Sequence, residues 1–223
     1  MCGRFTLTVN PADLQETFQN YEFPQKFAPR FNIAPSQPVL AIPNDDSNAA
    51  GFFVWGLIPM WAKDPAIGNR LINARAETLA EKPSFRGSLK YKRCLILADG
   101  FYEWKSGPGA KTKTPFFIHM NDRRPFAFAG LWDSWNSPDG SLIKTCTIIT
   151  TEPNELMTLI HNRMPAILHP RDYAKWLDPS PQTPENLQPL IKPFPAEQMN
   201  AYPVSTLVNK PQNDMPELVL QVK

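Results

Sequence analysis

Proline limits what this chain can build more than any other residue type. There are 25 prolines in 223 residues, roughly twice the usual ~5% share. Each fixes its own φ and removes a backbone donor, so helices and central strands must fit between them. With only 10 glycines beside them, the total stays short of the ~25–30% of proline plus glycine that marks a low-complexity chain. A hydrophobic content of 42% is enough to fill a core. The expectation is a globular chain of short elements and stiff loops, with a length that fits a single domain over residues 1–223.

Periodicity fills in the elements. Phe5, Leu7 and Val9 alternate with Arg4, Thr6 and Thr8, which predicts a first strand over Arg4–Val9. Asn10-Pro11-Ala12-Asp13 reads as a helix start with a cap, a proline in the first turn and an acid after it, and the helix is expected to run to about Asn20. Strand-like runs follow at Pro38–Ile42, Gly51–Trp55, Arg93–Ala98, Phe101–Trp104, Phe116–Met120, Phe126–Trp132 and Leu142–Thr151. Helical patches interrupt them at Ala76–Glu81, Asn154–Ile160 and Arg171–Leu177, and the proline-rich stretch Asp178–Pro195 reads as a surface loop. The order does not alternate strand and helix. An α+β fold is therefore expected, with a mainly antiparallel, partly barrel-like sheet and short flanking helices.

Charge and cysteine content narrow the function classes. Lys and Arg number 23 against 21 Asp and Glu, a net charge of +2, which excludes a wholesale basic coat for nucleic acid but allows a local basic site. No apolar run is long enough for a membrane span, and residues 1–20 lack the pattern of a signal peptide. The chain is expected in the cytoplasm, with its three cysteines reduced. Their spacing suggests no metal site, and Cys94 and Cys146 lie in apolar runs that suit burial.

Cys2 is different because of its place. Removal of Met1 would leave it with a free α-amine beside its thiol, and reference pKa values of ~7.7–8.0 and ~8.5 keep both nucleophiles available near neutrality. Amine and thiol on adjacent carbons can both attack one aldehyde carbon, closing a five-membered thiazolidine. Gly3 allows close approach and Arg4 adds a fixed cation. An incidental cysteine at a frayed terminus is the plain alternative. A second alternative is nucleophilic attack on an amide, as in the class II glutamine amidotransferases, which also begin Met-Cys-Gly. The Gly-His-x-Arg and Asn-Gly segments that bind glutamine in those enzymes are missing here.

Further along, Asn73, Arg75 and Glu77 would share a face if their segment is extended. Glu103 lies between Tyr102 and Trp104, where burial would raise its pKa towards general acid or base work. Of three histidines, His119 and His169 suit structural positions, while His161 ends an apolar helix two residues before Arg163 and is the best candidate to move protons. Residues 82–93 read KPSFRGSLKYKR, either a solvated helix face or a basic track for single-stranded DNA.

Taken together, Cys2-Gly3-Arg4-Phe5, Asn32-x-Ala34-Pro35, Trp55-Gly56-Leu57-Ile58-Pro59-x-Trp61, Asn73-Ala74-Arg75-x-Glu77-Thr78, Arg93-Cys94, Asp99-Gly100-Phe101-Tyr102-Glu103-Trp104 and His161-x-Arg163-Met164-Pro165 resemble the SOS-response-associated peptidase family, whose members process abasic sites. The likeness spans Cys2 to about Ser205 and leaves the tail after Val208 poorly matched. It implies that processed Cys2 captures the ring-opened aldehyde of an abasic site in single-stranded DNA, giving a stable thiazolidine crosslink. It also implies a peptidase activity that removes whatever precedes Cys2, although a cellular aminopeptidase could release Met1. By the same likeness Asn73 would orient the sugar or the amine, and Glu103 and His161 would transfer protons. Arg4, Arg75 and Arg163 would hold phosphates, and Pro35, Trp61 and Trp104 would contact bases. No cofactor, metal or membrane is expected, the protein would act as a monomer, and a non-covalent reader of modified DNA is the remaining alternative.

Overall fold

The computed structural model describes residues 2–107, 109 and 112–222. Its strands are β1 Arg4–Leu7, β2 Arg30–Ile33, β3 Pro38–Pro43, β4 Gly51–Trp55, β5 Asn73–Arg75, β6 Arg93–Ala98, β7 Gly100–Ser106, β8 Lys113–Met120, β9 Phe126–Asn136, β10 Leu142–Thr151, β11 Met164–Pro165 and β12 Met199–Pro203. The α-helices are α1 Pro11–Thr17, α2 Pro83–Tyr91, α3 Glu155–Thr158, α4 Tyr173–Trp176 and α5 Pro184–Leu187. None has more than nine residues, as the proline content requires. No helix among the described residues is long and apolar enough to cross a membrane.

The strands form two sheets. The first runs β12-β8-β7-β1-β2 and is antiparallel throughout. In the second, the path β10-β4-β3-β6-β9 returns to its start because β9 also pairs with β10, from Asn136↔Leu142 to Gly130↔Ile148. This closes a small barrel and removes its free edges. Two pairings depart from the antiparallel expectation: β10 runs parallel to both β4 and β5. The fold is α+β with a barrel-like sheet, as the sequence predicts.

The main core lies between the first sheet and the barrel, where Phe5, Phe101 and Ile118 meet Trp55, Ile96, Phe128 and Ile148. The Phe5 ring stands edge-on to Trp55 at 5.2 Å and to Phe128 at 5.6 Å. Aromatic pairs in this geometry contribute ~0.5–1.5 kcal/mol each beyond area burial. A smaller core covers the other face of the first sheet, formed by Tyr102, Phe117, Val204, Val208 and Leu218. The alternation of β7 divides between them: Phe101 joins the large core, while Tyr102 and Trp104 pack with the small one. Gly100 is obligatory at the start of this strand, because a Cβ there would come within 2.2 Å of the Phe117 ring.

Buried Arg93 ties the barrel to its helices. Its guanidinium donates to the carbonyls of Leu89 and Lys90 at the end of α2, of Trp176 at the end of α4, and of Asp178 and Ser180 beyond it. Orphan carbonyls at helix ends need donors, and a buried cation needs acceptors, so each resolves the other's cost.

Several boundaries differ from expectation. Helix α1 has the expected Asn10 cap, which forms a capping box with Asp13, but ends at Thr17, because Phe18 turns into the core. The 76–81 patch contracts to a 3-10 turn at Ala76–Thr78. The 171–177 patch divides into a 3-10 turn and α4. Residues 178–195 are more than a surface loop, since they include α5 and bury Leu187, Ile191 and Phe194. Alternation is too weak in such short segments to reveal burial by one anchor per turn. Most of the basic stretch forms α2, which buries Phe85, Ser88 and Leu89 and exposes Arg86 and Lys90, with exposed Lys82 just before it and buried Arg93 beyond it in β6.

Candidate active site

Cys2 leads into β1 and is fully buried. Its backbone carbonyl accepts a 2.7 Å hydrogen bond from Asn73 Nδ2. Asn73 opens β5, which is held by parallel pairing with Ile148 of β10, so the barrel fixes the side chain that fixes Cys2. The other end of the Asn73 amide, Oδ1, is buried and lacks a hydrogen-bond partner among the described residues. Burial, and after it the Glu103 carboxylate, push the Cys2 thiol far above its ordinary range. Burial and the neighbouring carboxylate thus favour the protonated thiol.

Glu103 and His161 face each other electrostatically. Burial raises the Glu103 carboxyl above the usual range, and the positive charge of His161 acts in the opposite direction. His161 follows α3, its backbone N–H donating to Met157 at 2.8 Å. His161 Nδ1 lies against the Arg163 backbone, 3.1 Å from its N–H and 3.2 Å from its carbonyl oxygen, so that backbone sets the orientation of the ring. Four sequence-selected residues from four separate segments thus form one cluster: a thiol, an amide, a carboxyl and an imidazole.

The cationic candidates divide. Arg163 makes a bidentate pair with Glu77 at 2.6 and 3.0 Å and donates to the Thr150 carbonyl at 2.6 Å. That pair, with help from Arg75, holds the Glu77 carboxyl below its usual range. Arg75 itself is exposed. Arg4 turns to the outer face of the first sheet, where its guanidinium donates to Asn32 Oδ1 at 2.9 Å and to the Val208 and Asn209 carbonyls at 2.7 and 3.3 Å. Trp104 lies on the same face and donates from Nε1 to Asn209 Oδ1 at 2.8 Å.

Pro35 and Trp61 belong to two loops that are tied together. Ser36, at φ +67°, donates its N–H to the Trp55 carbonyl at 2.7 Å and its hydroxyl to Asn69 at 3.1 Å. Gly56 follows at φ +134°, with the Gly68 carbonyl so close that a Cβ would sit 2.7 Å from it. Only glycine permits that turn. The loop beyond leaves Met60 and Trp61 exposed, Trp61 by 59%. Trp61 therefore presents a large indole to solvent.

The sequence pattern of the SOS response associated peptidase family matches residues 1–211. The chain belongs to that family. Abasic site processing protein YoqW of Bacillus subtilis is 53% identical over 222 residues, covering 98% of this chain and 99% of YoqW. Abasic site processing protein HMCES of Gallus gallus is 34% identical over 267 residues, covering 100% of this chain and 78% of HMCES. Among solved structures, a protein from Bacteroides thetaiotaomicron superposes with a TM-score of 0.88 at 29% identity, covering the whole of both chains.

Within this member of the SOS response associated peptidase family, Cys94 and Cys146 are buried in the barrel, and burial raises both thiols. His119 is buried and His169 packs on Phe194, so neither joins the cluster. Sequence reading missed the partners rather than the principals. Glu77 was visible, but as a residue sharing a face with Asn73, whereas the 3-10 turn redirects it to Arg163. Thr150 gave no signal, because threonine in a strand reads as β propensity. Asn32 was visible only within a weak turn-like pattern. It is buried, and its Nδ2 donates to the carbonyls of Val208, Lys210 and Asn213.

Proposed function

We propose that the protein processes abasic sites in single-stranded DNA by capturing the lesion's aldehyde on Cys2. The reading is supported most directly by the convergence of Asn73, Glu103 and His161 on Cys2, in a family whose named relatives include abasic site processing proteins.

Hydrolysis of the Met1–Cys2 bond comes first, consuming water and freeing the α-amine. The amine then adds to the aldehyde carbon of the ring-opened deoxyribose, and loss of water gives a Schiff base. The Cys2 sulfur adds to the same carbon while the thiol proton passes to nitrogen, closing the thiazolidine. Asn73 holds the Cys2 backbone through Nδ2 and offers Oδ1 to the new amine. Glu103, with its raised pKa, carries the protons exchanged in carbinolamine formation and dehydration, and His161 assists from beside it. Arg75 and Trp61, both exposed, contact phosphate and base. Arg163 serves chiefly to brace His161 and Glu77.

The deciding experiment is intact mass of the purified protein before and after mixing with an oligonucleotide carrying one abasic site. The expected result is loss of Met1, then a covalent adduct smaller by one water than the sum of its parts, absent in Cys2→Ala. An unchanged adduct in Cys2→Ala would remove Cys2 from the mechanism. Ammonia released from glutamine without DNA would favour amide hydrolysis, and purely reversible binding would favour a reader.

A further inference from the structure

The tail that the sequence motifs leave unexplained meets two of the residues they single out. Asn209 is exposed, yet its side-chain oxygen accepts from Trp104 Nε1 at 2.8 Å and its backbone carbonyl accepts from Arg4 Nη2 at 3.3 Å. The segment around it is fixed from below. Buried Asn32 donates to three carbonyls of residues 208–213, and Asp214 accepts from Arg30 Nε at 2.5 Å and from the Phe31 and Asn32 backbone N–H groups at 2.5 and 3.1 Å. This many convergent bonds hold a loop far more firmly than Val208 and Leu218, its buried anchors, would alone.

We propose that Asn209 is a positioning residue for DNA binding: the clasped tail uses it to set the plane of the Trp104 indole on the outer face of the first sheet, so that the ring receives a base of the strand flanking the lesion. The proposal rests on the reading of the protein as a single-stranded DNA binder. Trp104 is only partly covered, so its ring has a face to offer, and an indole held by its N–H pays less ordering entropy on stacking. Arg4, turned to the same loop, is then a brace of the tail rather than a direct phosphate ligand.

The test is a double-mutant cycle measured by single-turnover adduct formation against the concentration of abasic oligonucleotide. Asn209→Ala and Trp104→Phe each remove one side of the bond and keep a fold-compatible side chain. Each is expected to raise the half-saturating DNA concentration about threefold to tenfold, the range of one hydrogen bond, with the maximal rate retained. The double variant should do no worse than the single ones. Trp104→Ala is the control for the underlying reading. If Trp104→Ala raises half-saturation but Asn209→Ala does not, or if the two effects multiply, the tail has no positioning role. If Trp104→Ala itself changes nothing, Trp104 does not touch DNA and the inference falls with that placement, while Cys2 capture stands on its own experiment.

Discussion

Glu103 and Trp104 are adjacent in β7 and look in opposite directions. Glu103 joins a cluster whose members are held by barrel strands, by β1 and by the end of α3; Cys2 and Glu103 are buried, Asn73 and His161 half-buried. Trp104 joins a surface layer held by a tail that crosses the outer face of the sheet. Period-two alternation thus turns one side of the strand to the Cys2 cluster and the other to the clasped tail. The inner side is specified by barrel closure, whereas the outer side depends on hydrogen bonds to carbonyls of residues 208–213, which side chains of many kinds could supply.

If the two sides are separable, substitutions should sort by face. Glu103→Gln is expected to slow adduct formation about 100-fold. Because burial raises the Glu103 pKa, the acid limb of the wild-type rate profile should lie above the ordinary carboxylate range, with activity falling as pH drops through it. A limb that persists unchanged in Glu103→Gln would assign that titration elsewhere. Asn73→Ala, which frees the Cys2 backbone, should cost about tenfold in maximal rate, read by the same single-turnover assay. An effect confined to half-saturation would make Asn73 a DNA ligand instead.

Glu77→Gln releases Arg163 from its bidentate pair. DNA affinity should then rise a few-fold at low salt, with the slope against log salt steeper by about 1. A flat response would show that Arg163 stays clear of phosphate even when unpaired. Asn32→Leu acts only on the outer side. It should lower the melting temperature by about 5 °C and admit proteases at residues 205–214, while the maximal capture rate changes less than twofold. Loss of capture as severe as in Glu103→Gln would break the distinction between the faces.

The sequence displayed the inner side more fully than the outer. Cys2, Asn73, Glu103 and His161 belong to recognisable motifs, and strands such as Phe126–Trp132 and Leu142–Thr151 announce themselves through long apolar runs. Closure of the barrel was not legible, because the pairing of β6 with β3 and the parallel addition of β4 and β5 to β10 are long-range facts with no local periodicity. The destinations of the arginines were hidden for a related reason. A guanidinium can donate to phosphate, carboxylate or carbonyl, so Arg4, Arg93 and Arg163 read alike in sequence and are distinguished only by what the fold brings near them.

The hydrogen bond from Arg4 to Val208 joins residues 204 positions apart. Long-range contacts form late because the intervening chain must first be ordered. During synthesis Arg4 leaves the ribosome early, and its carbonyl partners follow only after more than two hundred further residues. Strand β1 can pair with β2 and β7 once residue 106 is made, but Arg4 reaches its carbonyl partners in the tail only at the end of translation. The clasp over the outer face of the first sheet is thus the last part of that face to close.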